Sequence, residues 1–367
     1  MIKSLRAREI LNSRGKPTVE VELETSNGVF VASVPSGISQ GKYEAVGLKA
    51  EKAIKNVNEI IAPELKGKDP RKQKEIDELM IELDGTENKS KLGANAILAV
   101  SIAVCRAGAA VKNVPLWKYI SQTAKTKPDL PAPSVLLIEG GAHAKNKLDF
   151  QEFMIVMKFQ QAKEIYQKLG DILGADLGYE GGFAPQISTA KEALDLISEA
   201  AEGYNVKIGL DCAASQFKKN KYSLDFYQDL IKKYPIIFLE DPFGEENWDG
   251  FQKITKKIGD RVIIIGDDLL TTNIKRIKEA KNKKACNGAI IKPNQIGTVT
   301  ETFEAAKLAK SFGWKIMVSH RGGDTLDNFI ADLAVGIGAD FIKSGGPFKP
   351  ERVAKYNRLL EIEKELK

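Results

Sequence analysis

The sequence predicts an α/β protein: a closed (β/α)8-type barrel preceded by a smaller α+β capping unit. Three observations carry this. The chain opens with a period-two segment and a hairpin turn. A proline-rich connector follows. Short apolar runs then alternate with amphipathic helical stretches to the C-terminus. The repeat is roughly 25 residues per strand–helix unit, and eight such runs favour a closed barrel over an open sheet.

Thr18-Val19-Glu20-Val21-Glu22-Leu23-Glu24 alternates apolar and polar residues, as a half-buried strand does. Ser26-Asn27-Gly28 is a good hairpin turn, and Val29 to Ala32 returns from it. From about Tyr43 to Ala124 the pattern is helical, punctuated by Asp84-Gly85 and Gly93. Ala94 to Val111 is rich in small residues and suits burial. Lys127-Pro128-Asp129-Leu130-Pro131-Ala132-Pro133 favours an extended connector. It divides a capping unit, residues 1–128, from a barrel, residues 129–367.

The barrel runs are Val135–Ile138, Phe153–Met157, Val206–Leu210, Ile236–Leu239, Val262–Ile265, Ala289–Ile291, Ile316–Val318 and Phe341–Ile342. Helical patterns lie between most of them, including Thr189–Glu202, Leu224–Tyr234, Asn273–Ala285, Thr300–Phe312 and Thr325–Ile337. Near-continuous apolar strands separated by helices imply a parallel sheet covered on both faces. No G-x-G-x-x-G follows a strand, so a dinucleotide fold has no support.

Composition narrows the chemistry. The 367 residues carry 55 Lys+Arg and 49 Asp+Glu, a net charge of +6, with only two histidines and three cysteines. His143 and His320 are too few for a three-His zinc site, and Cys105, Cys212 and Cys286 form no C-x-x-C. A bound metal should therefore be a hard ion held by carboxylates, such as Mg²⁺. Lysine stretches such as Lys218-Lys219-Asn220-Lys221 are short, so nucleic acid is not an expected partner. The apolar run Leu92–Cys105 is shorter than the roughly 18 residues of a membrane span. Met1-Ile2-Lys3-Ser4-Leu5-Arg6 has no apolar signal core, which gives a cytoplasmic expectation.

The first titratable residues at the ends of the later strands are Asp211, Glu240, Asp267, Lys292, His320 and Lys343. Successive members lie 23 to 29 residues apart. In a barrel this register gathers all six at the C-terminal mouth, where barrel active sites lie. A single acid after a strand is more often a helix N-cap. Three acidic and three basic residues in consecutive strands fit capping poorly. Asp211, Glu240 and Asp267 would repel one another without a cation between them, which points to Mg²⁺. Lysines beside such an ion suit a base and an electrostatic clamp, with a lowered amine pKa. The chemistry implied is proton abstraction next to a carboxylate, a known use of a Lys base with one or two Mg²⁺.

Over nearly its whole length the chain resembles the enolase family, the phosphopyruvate hydratases of glycolysis. The likeness rests on Ala7-Arg8-Glu9-Ile10-Leu11-Asn12-Ser13-Arg14-Gly15, Ser36-Gly37-Ile38-Ser39-Gln40-Gly41 and Asn88-Lys89-Ser90-Lys91-Leu92-Gly93. It continues through Glu180-Gly181-Gly182-Phe183-Ala184-Pro185, Leu239-Glu240-Asp241-Pro242 and Gly266-Asp267-Asp268-Leu269. Lys292-Pro293-Asn294-Gln295-Ile296-Gly297 and Val318-Ser319-His320-Arg321 complete it.

The resemblance implies an enolase-type barrel with an N-terminal cap, two Mg²⁺ per site and a homodimer or higher homo-oligomer. The substrate would be a small phosphorylated acid, 2-phosphoglycerate. Asp211, Glu240 and Asp267 match the ligands of the tighter Mg²⁺, and Ser39 in the lid matches the second. Lys292 matches the base at C2, and Lys343 the lysine that holds the substrate carboxylate. Glu180 matches the acid that helps the C3 hydroxyl leave, with Glu152 as partner. His143 matches the lid histidine, and Ser319, His320 and Arg321 the phosphate side.

Departures from the family pattern are Tyr179 for Asp, Pro293 for Val, Glu139 for Asn, Ile38 and Gln40 in the lid, and Gly322 for Ser. Tyr179 removes a carboxylate beside Glu180, and Gly322 a hydroxyl on the phosphate side. Family members usually run longer, and the shortening is expected in loops, at Phe217–Asp225 and within Val156–Glu180. Three functions fit these residues: an active enolase, a divergent paralogue acting on a related acid, and an idle enolase-like binding protein. The last draws on plasminogen binding by relatives and on Lys367 as a C-terminal lysine. Retention of Lys292, Glu180 and the metal carboxylates favours the first.

Overall fold

In the computed structural model, which describes residues 1–37, 41–174, 176–217 and 222–366, a three-stranded antiparallel sheet precedes a closed eight-stranded barrel. The sheet contains β1 (Ile2–Leu11), β2 (Pro17–Thr25) and β3 (Gly28–Ser33), in that order. The hairpin forms where the turn residues place it: Thr25 pairs with Gly28, and Ser26-Asn27 is the two-residue loop. Sequence patterning missed β1. Its register shifts between Ile2 and Ser4, and it buries Ile2, Leu5 and Ala7, which breaks the period of two.

Helix Ala94–Val111 packs on β2 and β3 as the core of the capping unit. By length and composition it would suit a membrane, yet 78% of it is buried inside the fold. Its alanines and its one glycine let neighbours approach closely: a Cβ on Gly108 would strike Tyr119 and the Pro70 carbonyl. Helices Gln73–Asp84 and Leu116–Ala124 lie against it.

All eight apolar runs become barrel strands. They are β4 (Ala132–Glu139), β5 (Glu152–Val156), β6 (Lys207–Asp211), β7 (Ile236–Glu240), β8 (Ile263–Gly266), β9 (Gly288–Ile291), β10 (Lys315–Ser319) and β11 (Phe341–Lys343). β11 pairs with β4 and closes the barrel. The expected all-parallel sheet needs correcting, because β5 runs antiparallel to both β4 and β6. Residues 140–151 hold only a short 3₁₀ turn, so the chain turns straight back into β5. A parallel return would need a crossover helix. Two helices, Phe159–Leu173 and Ala190–Ala200, then carry it back to the start of β6. Leu136, Met154, Phe238, Ile265, Ile290 and Met317 fill the barrel interior.

Candidate active site

Asp211, Glu240 and Lys343 are the last residues of β6, β7 and β11, and Asp267, Lys292 and His320 directly follow β8, β9 and β10. Their side chains make no capping hydrogen bond to the next helices, Lys292 included, although it is the N-cap residue of Pro293–Ile296. Ser223, Asn247, Asn273 and Thr298 supply such caps, their side chains accepting from backbone N–H groups of the first turn. The strand-end residues are left to point into the barrel mouth. His143, Glu152, Glu180, Asp211, Asp267, Lys292, Ser319, His320, Arg321 and Lys343 all line one pocket. Glu240 is fully buried and joins them through Lys343. Ser39 lies outside the described residues.

Two lysines hold the carboxylates together. Lys343 Nζ donates to Glu240 at 2.7 and 2.8 Å and to Asp211 at 3.0 Å, and lies 3.3 Å from Glu152. Lys292 pairs with Asp267, whose other oxygen accepts from Gln295 Nε2 at 2.9 Å. Burial favours the neutral amine of Lys292, but Asp267 outweighs it and the pKa rises. Lys343 goes well up for the same reason, with Asp211, Glu152 and Glu240 against burial.

The donor set suits a divalent cation. Burial and then the charge of Asp211 push Glu240 well above the carboxylate range, with Lys343 opposing. Asp241 rises through burial and through Asp268 and Asp267, and Asp268 rises to about 7 through burial and Asp267. Buried acids this crowded are short of positive charge. Oxygens of Asp241, Asp267 and Asp268 lie within 4.8 Å of one another, as metal ligands must. In the predicted trio Asp211, Glu240 and Asp267, Lys343 donates to both Asp211 and Glu240.

Across the pocket Glu180 lies between the two histidines. His143 Nδ1 is 3.5 Å from one oxygen and His320 Nε2 is 3.4 Å from the other. Burial raises the Glu180 pKa, but the two imidazoles prevail and hold it well below the usual range. Glu152 goes the other way. Burial carries it up to about 8, Lys343 opposing, and Glu180 and Asp211 add to the rise. Two neighbouring carboxyls with pKa values driven apart are a signature of acid–base work.

An enolase N-terminal domain model matches residues 2–120, and an enolase C-terminal TIM barrel domain model matches residues 127–226 and 222–367. The chain belongs to the enolase family. It is therefore a lyase. It is 50% identical to Enolase B of Dictyostelium discoideum over 420 aligned residues, covering 100% of this chain and 95% of that protein. Enolase of Solanum lycopersicum is 48% identical over 423 residues, with 100% and 95% covered. Enolase of Mastigamoeba balamuthi is 47% identical over 420, with 100% and 96% covered. These aligned lengths exceed the 367 residues here, as the expected shortening requires.

Several residues of this enolase-family site were missed. Glu44, from the capping unit, pairs with both Arg321 amino groups at 3.0 and 3.2 Å. Asp241 accepts from the backbone N–H groups of Asp267 at 3.0 Å and Asp268 at 2.7 Å. A second acid beside each of two strand-end acids, in Glu240-Asp241 and Asp267-Asp268, was the available signal. Glu139 is fully buried and accepts from Glu180 N at 2.9 and 3.1 Å and from Gly182 N at 3.0 Å. Tyr179 does not take the place of a carboxylate against Glu180, since its half-exposed ring stacks on Arg14 at 5.1 Å. Pro293 opens the short helix Pro293–Ile296, a position that needs no N–H.

Proposed function

We propose that the chain catalyses the reversible, Mg²⁺-dependent dehydration of 2-phospho-D-glycerate to phosphoenolpyruvate, in glycolysis and gluconeogenesis. The observation that carries this reading is the pocket that holds Lys292, Glu180, Glu152 and Lys343 together at the barrel mouth. Lys292 takes the proton from C2. Lys343 and Arg321 favour its neutral amine and Asp267 its ammonium. Glu180, with Glu152, serves the C3 hydroxyl as it leaves as water. Lys343 holds the substrate carboxylate, and Ser319, His320 and Arg321 take the phosphate, with His143 closing over it.

Asp211, Glu240 and Asp267 would hold one Mg²⁺, and Ser39 would serve a second. Bound there, the ion supplies positive charge against the anion that forms when C2 loses its proton. The protein is proposed to be cytoplasmic and to work as a homodimer or higher homo-oligomer.

Phosphoenolpyruvate formation, followed by its ultraviolet absorbance, tests the reading. Turnover should require Mg²⁺, and Lys292→Ala should lower kcat by about 10²- to 10⁴-fold, as loss of a general base does. Folded protein that binds Mg²⁺ by calorimetry without turnover would instead favour a paralogue with another acid substrate. Neither binding nor turnover would favour the idle binding protein.

A further inference from the structure

We propose that Arg352 is a positioning residue that fixes His320 as its Nε2–H tautomer, so that the ring donates to the Glu180 carboxylate. The proposal rests on the reading of Glu180 as an acid–base group. Arg352 lies on the last helix, Pro350–Leu366, and is fully buried. Its Nη1 meets His320 Nδ1 and also donates to the Arg321 carbonyl at 2.7 Å. Its Nη2 donates to the Gly322 carbonyl at 2.8 Å, and Asp324 lies 3.4 Å from Nη1. Two backbone carbonyls thus hold the guanidinium in place just beyond the imidazole.

A guanidinium has donors only. The ring nitrogen that faces it must offer a lone pair, so a neutral His320 carries its hydrogen on Nε2. That nitrogen is 3.4 Å from Glu180 Oε2, a buried oxygen with no hydrogen-bond partner among the described residues, so an N–H there would face an unsatisfied acceptor. The opposite tautomer would set N–H against N–H on one side and lone pair against carboxylate on the other. The doubly protonated ring would place a second cation against Arg352. Burial lowers the His320 pKa to about 4 in spite of Glu180, with Arg352 adding to the fall, which agrees with a neutral ring.

The two histidines make a direct measurement practical. Long-range ¹H–¹⁵N spectra of the full-length protein with ¹⁵N-labelled histidine would contain two imidazoles, assigned with a His143→Asn variant. Wild-type His320 should show a pyridine-like Nδ1 and a pyrrole-like Nε2, unchanged from about pH 6 to 9. An Nδ1–H ring, or a doubly protonated one, overturns the proposal without any variant of Arg352. Arg352→Met should populate the second tautomer and lower kcat about tenfold or more, as loss of an orienting partner does, with KM changing much less. Arg352→Lys keeps a donor and should keep the wild-type tautomer. A folded Arg352→Met with unchanged tautomer and kcat refutes the positioning role, whatever its stability. If the tautomer is as expected but Glu180→Gln retains full turnover, the reading of Glu180 fails and the tautomer assignment stands.

Discussion

Buried at the end of β4, the Glu139 carboxylate braces the loop that carries Glu180 and sits in that acid's own electrostatic field. Burial and then the Glu180 charge push Glu139 up to about 7 from 4.5. The sign follows. A carboxyl with a raised folded pKa holds its proton more tightly when folded, so its cost appears as pH rises from the unfolded value to the folded one. Metal-free wild type should therefore lose about 3 kcal/mol relative to Glu139→Gln between about pH 4.5 and 7. Urea titrations at a series of pH values in chelator read this, and a difference independent of pH would refute it. At this scale the sequence was informative where a residue sits at a strand end. Asp211, Glu240, Asp267, Lys292, His320 and Lys343 were found that way. Glu44 and Arg352 come from a loop and a distant helix, and nothing local marks their approach.

Strands and helices of the barrel follow from short-range patterning, and their packing sets narrow limits. Gly209 in β6 faces the Phe238 ring inside the barrel, where a Cβ would collide with it. Gly209→Ala should destabilise by about 3 kcal/mol or more through overpacking, seen as a lower urea midpoint. A midpoint within error of wild type would show that the interior has room. Strand direction was less legible. β5 looks like its neighbours in composition, yet it runs antiparallel because the β4–β5 connection lacks a crossover helix. The helical pattern at Thr325 begins too early as well, since the helix starts at Phe329. Before it, Asp324 lies 3.2 Å from Lys355 Nζ, and Lys355 also donates to the Thr325 carbonyl at 2.6 Å. Such tertiary bonds override local propensity.

The two units meet through buried or half-buried charge. Glu44 reaches from the capping unit to Arg321, Lys89 lies 3.0 Å from Glu301, and Arg106 lies 2.7 Å from Asp327. Removing one partner of a buried pair leaves the other charge poorly compensated, which costs about 3–5 kcal/mol. Glu44→Ala should accordingly lower stability by about 3 kcal/mol and weaken substrate binding through a misplaced Arg321. Denaturation and KM measured on the same variant check both, and unchanged values would show that the capping unit does not brace Arg321.

What the sequence by itself determined is periodic or adjacent in the chain: eight apolar runs, the hairpin at Ser26-Asn27, and the strand-end register that sends six polar side chains to one mouth. Those features depend on a side-chain period and on connection length, which a few neighbouring residues encode. The tertiary structure alone decided which charges meet. Lys343 among Asp211, Glu240 and Glu152, Lys292 on Asp267, and Arg352 behind His320 each join residues 25 or more positions apart. Coulomb energies depend on distances in space and on burial, and neither is written in local sequence.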